Sequence, residues 1–172
     1  MEKNEFIVVA YVNNQVSVLN RITAAYLKRH INIESLNVSE STTKGISKVV
    51  ISAITNRDTI EMIVNQMANS FDVLSVDYYL PGELINKEMA LYKVSVGILA
   101  QQGYVDFMLE RAGGHIIEVT GEYLIVEKSG SRKELESLRS KLERRDLLLA
   151  YSRSGNVVLH RDDSSSLFRV VS

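Results

Sequence analysis

Apolar positions along the first half of the chain alternate between two periods. Phe6 to Val12 is a β-branched and aromatic run with almost no polar interruption, the pattern of a strand covered on both faces. Val18, Leu19, Ile22, Ala25 and Tyr26 then recur at helical spacing, with Asn20, Arg21 and Lys28 on other faces. Ile31 to Ser39 returns to alternation and predicts a strand with Ile31, Ile33 and Ser35 on one face and Asn32, Glu34 and Leu36 on the other. The turn Thr42-Thr43-Lys44-Gly45 leads into Val49-Val50-Ile51, glycine being available for positive φ. Asn56 stands where a helix N-cap belongs, ahead of the stripe Ile60, Ile63, Val64 and Met67. Val73 to Leu80 closes this half as a strand.

The single proline, Pro81, is followed by Gly82 near the midpoint, and this pair predicts a chain reversal and a boundary. Beyond it Met89 to Val96 is strand-like, and Val105, Met108, Leu109 and Ala112 form a helical stripe that Gly113-Gly114 stops. Ile116 to Val119 and Tyr123 to Val126 flank Thr120-Gly121-Glu122 as a hairpin. Ser131-x-x-Glu134 is a capping box ahead of Leu135, Leu138 and Leu142. Leu147 to Tyr151 and Val157 to Leu159 supply the last strand residues.

A β-α-β-β-α-β order written twice predicts an α+β protein of two ferredoxin-like units, each a four-stranded antiparallel sheet with two helices on one face. The expected division is 1–82 and 83–172, with a polar tail from about residue 162. Units of this size bury only about 60% of the surface of their unfolded chains. The uninterrupted apolar strand at Phe6 to Val12 therefore predicts cover over the second face of its sheet, from the other half or from another protomer.

Composition narrows the functional classes. Lys+Arg 20 against Asp+Glu 21 leaves a formal net charge of -1 over 172 residues, which removes the general attraction for phosphate backbones. The charged run Arg132 to Arg145 offsets itself, with Arg132 and Glu136, and Arg139 and Glu143, at i,i+4. The strand Gly45 to Ile51 carries no aromatic on which RNA bases would stack. No nucleic-acid partner is expected. No apolar run approaches the ~18 residues of a membrane span, Met1 to Glu5 does not read as a signal peptide, and there is no cysteine, so a cytoplasmic protein without membrane contact is expected. His30, His115 and His160 show no metal-ligand spacing. Phosphate loops and nucleophile elbows are absent, and Glu34, Asp72 and Asp77 show no acid–base spacing. No catalytic residue, metal or cofactor is expected in this chain.

One segment carries more information. The first strand is followed by Asn13-Asn14-Gln15-Val16-Ser17-Val18-Leu19, and the first helix by Asn32-Ile33-Glu34-Ser35-Leu36. Here the sequence resembles the regulatory, or small, subunit of acetolactate synthase (acetohydroxyacid synthase). In that family an ACT domain opens with a strand, then Asn-x-x-Gly-x-Leu-x-Arg, a helix, and Asn-Ile-Glu-Ser-Leu. Asn14, Leu19 and Arg21 stand at the matching spacing and Asn32 to Leu36 matches throughout. The likeness resumes in Gly114 to Thr120 and in Arg153-Ser154-Gly155-x-Val157-x-Leu159-x-Arg161, and so covers the chain to about residue 161. Two positions depart from the pattern: Ser17 replaces the glycine, adding bulk where glycine lets backbone approach a ligand, and Asn13 replaces an acidic residue.

The resemblance implies a non-catalytic subunit that binds the catalytic large subunit, raises its activity and confers feedback inhibition by valine or another branched-chain amino acid. It places thiamine diphosphate, Mg and FAD on the catalytic subunit. It also implies a homodimer, in which the loop of one protomer faces the Asn-Ile segment of its partner and the effector lies between them. Carried onto this sequence, the effector-binding residues are Asn14, Ser17, Val18, Leu19, Asn32 and Ile33. A loop entering a helix offers unpaired N–H groups to a carboxylate, asparagine carbonyls accept from an ammonium, and Val18 and Ile33 are apolar neighbours for a side chain. From the local sequence alone Asn14 reads equally as a helix cap or Asx turn, and Asn32 as a turn residue. The alternative function is a free-standing amino-acid-sensing ACT module acting on another system.

Overall fold

The computed structural model describes residues 2–97 and 112–161. They form two compact units. One is the chain up to Asn86 together with the segment that begins at Gly155, and the other is Lys87–Ser154. The break expected after Gly82 thus falls four residues later, and the end of the chain returns to the first unit. Pro81–Glu83 is a single 3-10 turn. Leu84, directly after it, is buried at 2% exposure in an apolar cluster of the first unit, which holds the turn to that unit.

In the first unit β1 (Asn4–Asn13), α1 (Val18–Leu27), β2 (Ile33–Glu40), β3 (Ile46–Thr55), α2 (Arg57–Ala68) and β4 (Val73–Tyr79) come in order, and the antiparallel sheet runs β2-β3-β1-β4. Alternate residues of β1 explain its uninterrupted apolar sequence. Phe6, Val8, Ala10 and Val12 pack with Val18, Ile22, Ala25 and Tyr26 of α1 and with Ile60, Ile63, Val64 and Met67 of α2. Ile7 and Val9 point the other way and join Val50, Leu84 and Val158. The cover expected over the second face is supplied by this chain's own C-terminal segment, including β9 (Val157–Leu159). Asn56 caps α2 as expected, its Oδ1 accepting from Thr59 N at 2.9 Å.

β2 departs from the predicted alternation. Ile33 pairs with Ala53, whereas Ser35 pairs with Ser52, so the register shifts at a bulge between them. A bulge inserts one residue and reverses the facing of the residues beyond it. Ile33 therefore packs on the helix-side core, while the Ser35 hydroxyl meets that of Ser52 at 2.6 Å on the opposite face. Ile33 and Ser35 do not share a face.

The second unit repeats the topology with β5 (Ile85–Ser95), β6 (His115–Val119), β7 (Tyr123–Gly130), α3 (Arg132–Glu143) and β8 (Leu148–Arg153) in the order β6-β7-β5-β8. The helical stripe Val105, Met108 and Leu109 lies outside the described residues. Gly113 adopts φ +69°, a conformation that favours glycine. The capping box forms: Ser131 N donates to Glu134 Oε2 at 2.7 Å, and Glu134 N to Ser131 Oγ at 3.4 Å. Leu135, Leu138 and Leu142 pack against Tyr92, Val94, Leu124 and Val126. On the outer face of α3 Arg139 pairs with Glu143 at 2.9 Å, while Glu136 accepts from Arg139 at 3.5 Å and from Tyr151 at 3.2 Å.

Candidate effector site

The loop between β1 and α1 is held by its backbone. Asn13 N donates to Asp72 O at 2.8 Å and Asn14 N to Gly45 O at 2.9 Å. Gly45 reaches that position at φ +82°, a conformation that favours glycine. Gln15 N donates to Asn13 O at 2.8 Å and Val18 N to Gln15 O at 3.2 Å, which turns the chain into α1. The Asn14 side chain is exposed and makes no hydrogen bond to a described residue. It does not cap α1. Ser17 occupies the N-cap position without a side-chain capping bond, its Oγ accepting instead from the Arg21 guanidinium at 3.2 Å. Arg21 N reaches Ser17 O at 3.4 Å. The N–H groups of Leu19 and Asn20 have no acceptor among the described residues, so the positive end of α1 is open.

Arg21 has a second role. Its guanidinium pairs with the carboxylate of Asp72, whose side chain is 3% exposed. Since Asp72 also accepts from Asn13 through its backbone, one residue fixes both the loop and the first turn of the helix. Asp72 was invisible as a site residue because its partner lies 51 positions away in sequence. Only Arg21, the arginine of the motif, signals that an acid must answer it. The same end of the unit presents two exposed apolar side chains, Val16 in the loop and Phe71 beside Asp72.

Of the remaining candidates, Val18 is 5% exposed and committed to the core, with Leu19 and Ile33 packed half-buried against the same cluster. Asn32 is exposed, makes no hydrogen bond to a described residue, and immediately precedes β2. Its backbone is set by the tight end of α1, where His30 takes φ 54° and Ile31 N donates to Tyr26 O at 3.1 Å.

The two asparagines do not meet within one chain. Asn13 pairs with Ile46, while Ile33 pairs with Ala53, which also faces Phe6. From Phe6 to Asn13 β1 advances about 23 Å, at ~3.3 Å per residue. Asn14 and Asn32 thus lie at opposite ends of the sheet, and α1, about 15 Å long, runs between them. Glu34 and Asp72 are separated in the same way and cannot act as an acid–base pair. Each end offers half of what an amino acid requires: the loop end has N–H donors and an amide for the charged groups, and the β2 end has a free amide beside the edge of the core.

A β-α-β-β-α-β unit with the candidate loop between β1 and α1, followed by a second unit of identical strand order, defines a two-unit ACT-type architecture. The comparisons make this particular. A model of the AHAS small subunit-like ACT domain matches residues 9–75, and one described as the small subunit of acetolactate synthase matches residues 87–162. The acetolactate synthase small subunit of Bacillus subtilis is 29% identical over 133 residues, 77% of each chain. That of Haemophilus influenzae is 27% identical over 157 residues, 91% of this chain and 95% of the relative. The crystal structure of the Thermotoga maritima small subunit superposes with a TM-score of 0.81 at 30% identity, covering 93% of this chain and 99% of that one. The chain belongs to the acetolactate synthase small-subunit family, whose role is regulatory and whose partner is a catalytic large subunit.

Proposed function

We propose that this chain is a non-catalytic regulatory subunit that activates the catalytic subunit of acetolactate synthase and confers feedback inhibition by valine or another branched-chain amino acid. The observation that carries the effector reading is the placement of Asn14 and Asn32. Both side chains are exposed and free of hydrogen bonds within the described residues, and they lie at opposite ends of the sheet. Neither caps a helix or closes a turn, so local structure does not account for them. A homodimer that sets the loop of one copy against the β2 end of the other brings the two halves together around one ligand. The carboxylate then meets the open N–H groups of Leu19 and Asn20, the ammonium meets the asparagine carbonyls, and the side chain lies at the edge of the core beside Leu19 and Ile33.

On this reading the chain holds no cofactor of its own. Thiamine diphosphate, magnesium and FAD belong to the catalytic subunit, and the assembly is cytoplasmic. The test is reconstitution: the catalytic subunit alone, with this chain, and with this chain plus increasing valine, leucine or isoleucine. Activation that one of the amino acids reverses is the expected result. Amino-acid binding without any effect on the catalytic subunit would favour a free-standing sensor and overturn the proposal.

A further inference from the structure

The bulge in β2 lies directly after the two residues that the effector reading places at the start of this strand, Asn32 just before it and Ile33 within it, and the residue beyond the bulge is held by a segment near the far end of the chain. Ser35 meets Ser52 Oγ at 2.6 Å and accepts from Asn156 Nδ2 at 3.4 Å. Two positions further along, Asn37 Nδ2 donates to Asn156 O at 3.3 Å. Asn156 is thereby bonded to β2 through its side chain and through its backbone, on the face opposite the helices. Gly155 allows the approach, since a Cβ there would stand 3.2 Å from the Cβ of Asn37. Beyond Asn156, Val158 enters the cluster of Ile7, Val9, Val50 and Leu84, and its carbonyl accepts from Lys48 Nζ at 2.7 Å. His160 stacks edge-on against Tyr79, with ring centroids 4.9 Å apart.

Anchoring the segment does not require Asn156. Val158, the Lys48 bond and the His160 stack already hold it, and Asn156 is itself costly. It is 1% exposed, and its Oδ1 is buried without a hydrogen-bond partner among the described residues, a penalty that a small apolar residue would avoid. What Asn156 adds, beside the Ser52 hydroxyl, is a pair of bonds to β2 on the far side of the bulge. Bulges re-aim the side chains next to them, and among the described residues β2 is an edge strand with β3 alone beside it, so the bonds from Asn156 add to the end of α1, the packing of Ile33 and the Ser35–Ser52 contact in fixing that aim.

We propose that Asn156 is a positioning residue for the effector: by pinning Ser35 and Asn37 it fixes the bulge, and through the bulge the direction in which Asn32 and Ile33 are presented. This inference rests on the effector reading given above and adds to it a dependence of feedback sensitivity on a residue near the C-terminus that touches no ligand.

The experiment uses the full chain reconstituted with the catalytic subunit and titrated with valine. Asn156→Ala is expected to raise the half-inhibitory valine concentration about five-fold or more, the loss expected for a misaligned hydrogen bond to a charged ligand group, while maximal activation without valine stays at the wild-type level. Ser35→Ala is expected to move it in the same direction. The double variant should shift it no further than the larger single effect, because both changes disable one device. Should Asn156→Ala fail to fold, Ser35→Ala carries the test, since it leaves the apolar contacts of Val158 in place. Asn32→Ala is the reference. If it leaves inhibition unchanged, the effector reading itself fails. If it weakens inhibition while Asn156→Ala and Ser35→Ala lower only the melting temperature, the positioning role is overturned and the effector reading stands.

Discussion

Removing the guanidinium of Arg153 tests how far the second unit depends on one buried charge pair. Arg153 Nη1 stands 2.5 Å from Glu88 Oε2, and the two side chains are 16% and 1% exposed. Backbone pairing does not depend on the pair, because Arg153 faces Ala90 in the ladder between β8 and β5 whatever its side chain. Arg153→Met keeps most of the apolar stem and leaves Glu88 as an uncompensated buried carboxylate, a change that costs about 3–5 kcal/mol. At ~1.4 kcal/mol per tenfold, the folding constant of this unit falls by roughly two to three and a half orders of magnitude. Replacing both residues removes the charge that has to be desolvated. Arg153→Met with Glu88→Leu is therefore expected to lie within about 1 kcal/mol of the parent, a strong coupling in a double-mutant cycle. Urea unfolding followed by far-ultraviolet circular dichroism measures all four proteins. A single-variant loss below about 1 kcal/mol, the range of exposed ion pairs, would refute the reasoning, as would a double variant no better than the sum of its parts.

The site itself yields further expected outcomes. Asn14→Ala and Asn32→Ala are each expected to weaken inhibition of the reconstituted enzyme about five- to hundred-fold and to leave the melting temperature unchanged, because neither side chain makes a hydrogen bond within the described residues; earlier melting with unaltered inhibition would return both residues to structural roles. Ser17→Gly removes bulk at the mouth of α1 and gives up only the bond from Arg21, so valine titration should show a lower inhibitory concentration at a stability cost of a few tenths of a kcal/mol. Burial first, and neighbouring carboxylates second, push the phenols of Tyr79 and Tyr151 up to about 12. Above the usual value of 10.0 the unfolded chain releases these protons while the folded chain keeps them, so stability is complete below about pH 10 and declines until about pH 12. Near-ultraviolet titration should show these tyrosines ionising late, and urea midpoints should fall across that window.

Periodicity exposed most of the fold because its elements bury one face each. The stripes of α1, α2 and α3 and the unbroken run of β1 require neither a partner nor a long-range contact to be recognised. Two features were beyond that signal. The bulge in β2 is invisible because Ile33 and Ser35 satisfy simple alternation on paper, and only pairing with Ala53 and Ser52 reveals the shift. The return of residues 155–161 to the first unit is invisible because Val157 to Leu159 reads as any short strand, and nothing local says that Val158 belongs beside Ile7. The site divides along the same line. As site candidates Asn14 and Asn32 stand out by the pattern they share with a family, whereas Asp72 and Asn156 make their contacts with residues 51 and 121 positions away, where sequence spacing carries no information.

The separation of Asn14 from Asn32 has a consequence for dosage. If each binding site is completed only when two chains meet, an amino acid that occupies it also holds the chains together, and by linkage the chains hold the amino acid. Inhibition then reports two concentrations at once. Diluting the regulatory subunit should raise the amount of valine needed for the same effect, and abundant subunit should make the enzyme responsive to less of it, so a cell that adjusts expression of this one chain also adjusts the threshold at which its branched-chain pathway slows.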